Sequence, residues 1–277
     1  MGMFMSKKTI STFLSILITL VGLIYDANAH DSIKKIYFEH EGNASDKWIN
    51  YLDVYDECFS RYIGKNPNLL EIGVQNGGGL QIYSKYLKNA KIYGIDINPE
   101  VCKMSLGENI KTFCFDINMK DKFLSNLKDV EFDIIIDDGS HMQDDMINTF
   151  EFLFDKLRAG GIYIVEDVHT SYWKSFKGKY KGKNTSVEYF KNLVDYMNFY
   201  HIKEDFNSIK VQENLLTQKY IDKYVPWIES ITFYDGIIAI KKYKEKKLAP
   251  HERIVVGKEQ PVVPSIDIAK DAGYYIK

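Results

Sequence analysis

The chain has 277 residues, of which 45% are hydrophobic and 14% aromatic, so it has enough apolar material for a large core and is neither disordered nor fibrous. Its 36 Lys and Arg residues against 38 Asp and Glu residues give a formal net charge of −2. This balance excludes the strongly basic surface of a general nucleic-acid-binding protein. A chain of this length predicts one large domain with appendages.

The first 29 residues have the layout of a signal peptide. Lys7 and Lys8 precede an uncharged apolar run over residues 10–25, and the small residues of the Ala27-Asn28-Ala29 motif follow. The run is short for a membrane span. We expect cleavage after this motif and a periplasmic or extracellular mature chain. The alternatives are an uncleaved N-terminal membrane anchor and a chance apolar leader, which would leave the protein in the cytoplasm.

Strand-like and helix-like segments alternate after a predicted amphipathic helix over residues 46–62. Short apolar runs predict five strands, at residues 68–73, 91–96, 111–115, 132–137 and 161–166. The clearest helices between them are predicted at residues 80–87 and 142–157, and the second is expected to stop at Gly160 and Gly161. Alternation of this kind implies right-handed crossovers and a mostly parallel, doubly wound α/β sheet that is covered on both faces.

The alternation ends after residue 173. A loop rich in Lys and Gly covers residues 174–183, a helix is predicted at 186–200, and an apolar run at 231–240 would close the sheet with a final pair of strands, making seven. Three of the six prolines lie beyond residue 244 and predict an extended tail over residues 245–277. The main domain is therefore expected to cover residues 30–244.

A strand, a glycine-bearing turn and a helix start follow one another in residues 69–80, a pattern that lets the backbone approach a nucleotide-like ligand closely. About 25 residues after Glu71, Asp96 ends the next predicted strand, where its carboxylate can accept hydrogen bonds from two ribose hydroxyls. Gln75 and Asn76 break the GxGxxG pattern that a pyrophosphate requires. A nucleoside without phosphates, such as S-adenosylmethionine, therefore fits better than NAD. Asp116, after the third strand, would contact the adenine amino group or else stabilise an exposed turn.

Acidic residues follow two other strands, in the runs at residues 132–141 and 162–167. The carboxyl ends of neighbouring parallel strands meet at one edge of the sheet, where ligands bind. Three carboxylates there would repel one another unless protons or a cation compensated, and an all-oxygen set suits Mg²⁺. His141 could take a proton from a hydroxyl that the metal has acidified. The alternatives are a helix-capping or turn role for Asp137 and Asp138, and a structural hydrogen bond for His141.

Five runs carry a specific resemblance: LLEIGVQNGGGLQIY, IYGIDINPEVCK, FDIIIDDGSH, LRAGGIYIVEDVHTSYW and ITFYDGIIAI. They resemble the metal-dependent class I S-adenosylmethionine methyltransferases that methylate sugar hydroxyls on macrolides, the mycinamicin and macrocin type. The resemblance spans residues 46–243 and implies a Rossmann-like methyltransferase fold with an N-terminal helical addition.

The resemblance also implies roles for individual residues. Mg²⁺ would be held by Asp138, Glu166 and Asp167, and His141 would be the general base. The expected cofactor-binding residues are Glu71, Gly73, Gly77, Asp96, Asp116 and Asp137. In the implied reaction Mg²⁺ lowers the pKa of an acceptor hydroxyl, His141 removes its proton, and the alkoxide attacks the sulfonium methyl. The acceptor would be a glycan or another small molecule, and the macrolide-modifying relatives suggest a homo-oligomer.

Two other functions are open on the same sequence. The cephalosporin hydroxylases resemble the same runs, and an exported descendant could serve as a glycan-binding module without turnover. The loop over residues 174–183 would form a lid or a solvated loop. Tyr172 and Trp173 would stack on a sugar or pack in the core, and His169 lies close to the acidic run without an assigned role.

The cysteine content conflicts with the leader. Cys58, Cys102 and Cys114 are separated in the sequence and form neither a CxxC pair nor a Cys/His cluster. This distribution argues against a disulfide framework and a thiolate zinc site. We expect the cysteines to act as small apolar residues, as in a protein from a reducing compartment.

Overall fold

A computed structural model describes residues 30–205 and 217–251. The predicted leader lies outside the described residues, as does all of the predicted tail beyond residue 251. Within these two ranges, none of the helices has both the length and the apolar character that a bilayer crossing requires.

A seven-stranded sheet forms the centre of the described part of the chain, with the strand order β3-β2-β1-β4-β5-β7-β6. Its strands are β1 (Asn68–Ile72), β2 (Lys91–Asp96), β3 (Ile110–Cys114), β4 (Phe132–Asp137), β5 (Leu157–Val165), β6 (Ile228–Phe233) and β7 (Ile238–Lys242). Neighbours among β1 to β5 pair in parallel, while β7 runs antiparallel between β5 and β6. The predicted doubly wound, mostly parallel sheet is confirmed, including the final pair of strands.

Helices cover both faces of this sheet. They are α1 (Ile33–Phe38), α2 (Ile49–Phe59), α3 (Gly78–Tyr86), α4 (Lys120–Leu127), α5 (Gln143–Leu153), α6 (Ser186–Met197), α7 (Phe199–Asp205) and α8 (Gln218–Tyr224). Successive strand residues point to opposite faces, so Ile134 and Ile136 join the core beneath α2 and α3, while Ile135 joins the core beneath α5 and α6. Burial on both faces explains why the central strands are almost continuously apolar.

The predicted helix over residues 142–157 ends earlier than expected. Helix α5 stops at Leu153, a short 3₁₀ turn follows, and β5 already begins at Leu157. Gly160 and Gly161 therefore lie inside a strand instead of ending a helix. Gly160 has a φ of +77°, and the register between β4 and β5 shifts beside it. Glycine permits this backbone conformation, which is why a bulge in a strand carried the same sequence signal as a helix end.

The expectation of unpaired cysteines is wrong for two of the three. Cys102 and Cys114 form a disulfide with their Cα atoms 5.9 Å apart, whereas Cys58 is buried and free. Cys102 lies in the 3₁₀ helix Pro99–Lys103, which follows β2, and Cys114 ends β3. The 3₁₀ helix folds back over the neighbouring strand, so residues separated by 12 positions become neighbours. The spacing of Cys102 and Cys114 along the sequence does not predict that the two residues are close in space.

Candidate active site

The carboxyl ends of β1, β2, β3 and β4 surround a cavity of about 270 Å³. It lies where the strand order reverses between β1 and β4, the position at which open α/β sheets bind ligands. Four of the predicted cofactor residues line this nucleoside cavity, namely Gly73, Asp96, Asp116 and Asp137. Its apolar walls include Ile72, Ile95, Phe115 and Met146.

Gly73 stands at the point where the nucleoside cavity touches the loop after β4. Its φ is +84°, and a Cβ at this position would overlap the backbone carbonyl oxygen of Asp138. A side chain is therefore excluded both by the conformation and by the space. The close approach of these two loops depends on this glycine.

Asp96 holds the turn after β1. One of its oxygens, Oδ2, accepts hydrogen bonds from the backbone N–H groups of Val74 at 2.8 Å and Gln75 at 3.0 Å, and Oδ1 accepts from Asn98 at 2.8 Å. Since a carboxylate offers about four acceptor positions, it keeps room for a ligand hydroxyl. The predicted ribose contact thus falls on a residue that also shapes the turn.

Asp116 and Asp137 have different surroundings in the same cavity. Asp116 accepts a hydrogen bond from the Asn118 N–H at 2.9 Å. One of its oxygens therefore stabilises the turn, as the alternative interpretation expects. Asp137 is buried, and the Tyr163 hydroxyl donates to it at 3.3 Å. Burial raises the pKa of Asp137 to about 7. Neither Asp137 nor Asp138 caps α5, because the helix begins after Met142 without a side-chain cap.

Two predicted cofactor residues do not line the nucleoside cavity. Gly77 precedes α3 with a φ of +85° and packs against the Leu106 side chain. Glu71 is buried behind the turn, where the Tyr83 hydroxyl donates to its Oε1 at 3.3 Å. Successive side chains of β1 point to opposite faces of the sheet, so Glu71 points away from Ile72 and toward Lys47 and a second group of acids.

A second cavity of about 400 Å³ lies beside the acids toward which Glu71 points. The three predicted metal ligands, Asp138, Glu166 and Asp167, line it together with Trp48 and Tyr51 from the N-terminal segment. We call it the acidic cavity. Asp138 and Asp167 are partly exposed, whereas the Glu166 side chain is only 1% exposed.

The structure divides the predicted metal ligands between two overlapping clusters. In one, atoms of Asp138, His141 and Asp167 lie within 4.8 Å of one another, and in the other the members are Glu71, Asp138 and Glu166. His141 Nε2 lies 3.7 Å from Asp138 Oδ1 and 3.6 Å from Asp167 Oδ2. Its Nδ1 is buried and has no hydrogen-bond partner within residues 30–205 and 217–251. The proposed base thus faces the two partly exposed acids.

Lys47 is a site residue that the sequence interpretation missed. Its side chain is 6% exposed, and Nζ lies 2.5 Å from Asp138 Oδ2, 2.9 Å from Glu166 Oε2 and 3.5 Å from Glu71 Oε1. Burial alone would lower the pKa of Lys47, but the surrounding negative charges outweigh it and raise the pKa well above its usual value. Lys47 lies within the predicted helix over residues 46–62, but it is charged and does not belong to the apolar face of that helix, so nothing in the local pattern marked it as buried.

One ammonium cannot neutralise every acid in this region. Burial, together with the charge of Asp138, raises the pKa of Glu166 to about 8, and burial raises the pKa of Glu71 to about 7 despite the opposing charge of Lys47. These shifts mean that the cluster lacks positive charge. An oxygen-rich set with surplus negative charge, open to a cavity through Asp138 and Asp167, fits a hard divalent cation.

Unusual backbone conformations hold the loops of the acidic cavity. His141 has a φ of +56° and Asp167 a φ of +52°, both left-handed. The buried Thr170 hydroxyl lies 3.2 Å from the His141 carbonyl oxygen and 2.8 Å from that of Asp167. Such strained residues persist where the surroundings fix them, and they concentrate at functional sites. Thr170 is the residue that joins the two loops.

Aromatic side chains form one wall of the acidic cavity. The His169 ring lies between the exposed rings of Trp48 and Trp173, with centroids 5.7 Å and 4.7 Å away. Trp173 is thus a wall residue and not a core residue. The loop over residues 174–183 folds back on this region, since the Lys179 N–H donates to the Ser171 carbonyl at 2.8 Å. No lysine of this loop lines the nucleoside or the acidic cavity.

Comparisons with known proteins agree with this geometry. Residues 70–168 match the family described as "Methyltransferase domain". The structure superimposes on the MycE methyltransferase of the mycinamycin pathway, in complex with Mg and SAH, with a TM-score of 0.64 and 24% identity over 88% of this chain and 61% of that one. The fold is that of a class I S-adenosylmethionine-dependent methyltransferase. The predicted fold family is confirmed.

The curated relatives of this chain are named O-methyltransferases. The 8-demethyl-8-alpha-L-rhamnosyl tetracenomycin-C 2'-O-methyltransferase of Streptomyces olivaceus is 34% identical over 55% of this chain and 43% of its own length. The mycinamicin VI 2''-O-methyltransferase of Micromonospora griseorubida is 33% identical over 55% of this chain and 41% of its length. The chain therefore spans less than half the length of these relatives.

Proposed function

We propose that the chain is an S-adenosylmethionine-dependent, Mg²⁺-dependent O-methyltransferase that acts on a hydroxyl of a sugar or of a glycosylated small molecule. The observation that carries this proposal is the contact between the two cavities. Gly73, which lines the nucleoside cavity, lies directly against the backbone of Asp138, which lines the acidic cavity. A methyl donor in the first cavity and an acceptor hydroxyl in the second would meet at this junction.

The nucleoside cavity supports S-adenosylmethionine as the donor. Asp96 would accept hydrogen bonds from the ribose, Asp116 would accept one from the adenine amino group, and Phe115 and Ile95 would contact the flat faces of the ring system. The MycE structures in complex with SAH support the same assignment.

The acidic cavity supports the chemistry. Asp138, Glu166 and Asp167 are the proposed ligands of a divalent cation, which when bound would lower the pKa of the acceptor hydroxyl and stabilise developing oxygen charge. His141 Nε2 faces Asp138 and Asp167, so it would take the proton of the acceptor hydroxyl as the methyl group is transferred. Thr170 would keep the His141 loop in place through its backbone carbonyl.

The acceptor class is inferred from the aromatic wall and from the relatives. Trp48, His169 and Trp173 give the acidic cavity an apolar, partly exposed surface on which a saturated ring can lie. The relatives are named as methyltransferases of rhamnosyl and macrolide compounds. One structure of MycE contains Mg, SAH and mycinamycin VI.

Calorimetry and turnover with the purified chain test this function. S-adenosylmethionine should bind, and product formation with a rhamnosylated or macrolide acceptor should require Mg²⁺ and stop with EDTA. Turnover that depends on O₂ and a reductant would instead favour the hydroxylase. Carbohydrate binding without S-adenosylmethionine binding would favour the non-catalytic glycan-binding module.

We also propose that the protein is exported. The basic and apolar leader supports export, and the pairing of Cys102 with Cys114 now agrees with it, because disulfides persist in oxidising compartments. Fractionation of cells, combined with mass measurement of the mature N-terminus, tests this. An intact Met1 in the cytoplasmic fraction, with both cysteines reduced, would contradict it.

A further inference from the structure

Three polar side chains repeat at intervals of four residues on one face of α2 and in the segment just before it. Tyr51 and Tyr55 share this face because four residues make about one helical turn, and Lys47 lies two residues before the helix, ahead of the extended N-cap residue Trp48. Both tyrosines lie in the predicted amphipathic helix over residues 46–62, whose apolar face they help to form. In the structure their hydroxyls make specific hydrogen bonds that packing in a core does not require.

Each of the three side chains donates to a proposed metal ligand. The Tyr51 hydroxyl donates to Asp167 Oδ1 at 2.7 Å, and the Tyr55 hydroxyl donates to Glu166 Oε1. Lys47 donates to Asp138 Oδ2 and to both oxygens of Glu166. All three proposed ligands therefore receive a hydrogen bond from this face of α2 or from Lys47 just before it.

The donors are held firmly. The Tyr51 and Tyr55 side chains are buried, and the Tyr55 ring stacks on Phe59 with 5.3 Å between centroids. The Tyr51 hydroxyl also lies 3.0 Å from the Gly236 carbonyl oxygen, next to β7. Phenylalanine would fill the same space, so packing alone does not account for the two hydroxyls.

Hydrogen bonds to a carboxylate ligand set its orientation and its charge, and losing such partners typically costs 10–100-fold in metal affinity. We propose that Lys47, Tyr51 and Tyr55 are positioning residues that fix Asp138, Glu166 and Asp167 for a divalent cation, so that α2 is part of the metal site. This inference rests on the metal site of the proposed function. The two are separated by measuring metal binding directly.

The test is a titration of the full-length chain with Mn²⁺, followed by electron paramagnetic resonance of the free ion. Tyr51→Phe and Tyr55→Phe should each bind Mn²⁺ about 10–100-fold more weakly than the unchanged chain. Affinity for S-adenosylhomocysteine should stay the same, because neither tyrosine lines the nucleoside cavity.

Tyr62→Phe is the matched control. Tyr62 is buried like the other two, but its hydroxyl reaches the backbone carbonyl oxygens of Asp133 at 3.0 Å and Gly160 at 3.3 Å instead of a site carboxylate. Its variant should keep the Mn²⁺ affinity. Thermal melting identifies any variant that is unfolded, and the remaining tyrosine variant then decides the outcome.

The outcomes separate the two hypotheses. Mn²⁺ binding in the unchanged chain that is no tighter than in Asp138→Asn would overturn the metal site and this inference with it. Tight binding that persists unchanged in both folded tyrosine variants would overturn the inference alone and leave the proposed function intact. Equal weakening in Tyr62→Phe would also overturn it, because the effect would then follow any lost buried hydroxyl.

Discussion

The two cavities at the sheet edge differ in how far apart along the sequence their residues lie. The nucleoside cavity takes its lining from residues 72–149, that is, from β1 to β4 and the segments directly after them. The acidic cavity joins Lys47 to Glu166, 119 positions apart, and Tyr51 to Asp167, 116 apart. Strand-end rules therefore describe the first cavity, whereas the second depends on where the N-terminal helix packs.

Gly73→Ala should affect both cavities, because the new methyl group would overlap the Asp138 carbonyl oxygen. We expect S-adenosylhomocysteine and Mn²⁺ binding to be lost together in calorimetric titrations, the largest effect of any single change. Gly64→Ala is the control, since Gly64 has a similar φ of +74° but open space around it. This variant should lose only about 1–2 kcal/mol of unfolding free energy, which is the cost of a left-handed backbone conformation for a residue with a Cβ. Retained binding of either ligand in Gly73→Ala would mean that the cavities are not coupled there.

His141→Ala should affect the acidic cavity alone. Loss of a general base lowers turnover by about 10²–10⁴-fold, and S-adenosylhomocysteine affinity should be unchanged. Steady-state rates and calorimetry measure the two quantities, with the exposed His201→Ala as the control. Unchanged turnover would remove His141 from the mechanism.

Lys47→Met should destabilise the fold by about 3–5 kcal/mol, because it leaves buried carboxylates without their counter-charge. Added Mg²⁺ should recover part of this loss in urea unfolding curves, since a cation replaces the missing charge. Lys242→Met provides a buried-lysine control, because the Lys242 ammonium bonds to the Phe154 and Leu157 carbonyl oxygens. Equal recovery by Mg²⁺ in both variants would contradict the role of Lys47.

Cys102→Ser should have the smallest effect of these changes, a loss of stability next to the nucleoside cavity. Opening a 12-residue connection costs about 2–3 kcal/mol of unfolding free energy in the chain-entropy description. Mn²⁺ affinity should not change, because the disulfide lies away from the acidic cavity. The same loss of stability on adding reductant to the unchanged chain would confirm the bond, while no loss would indicate that the cysteines are already reduced.

Much of the fold was predictable because its signals are local. Apolar runs ended by acids or glycine located β1, β2 and β4, and the strand-end rule then brought Asp96, Asp137 and Asp138 to one edge. The errors also have local causes. Gly160 looked like a helix stop because a bulge needs the same backbone freedom, and Cys102 looked unpaired because its partner is reached only after the chain folds back.

The sequence by itself determined the alternating α/β order, the edge of the sheet where chemistry would occur, and the acids that end its strands, since each follows from residue type and position along a strand. The tertiary structure alone decided which acids meet and what neutralises them. Glu71 turned toward Lys47 and away from the nucleoside cavity, and Tyr51 and Tyr55 became donors instead of simple core residues. Charge compensation acts over a few ångströms in space, and residues more than a hundred positions apart acquire that proximity only by packing.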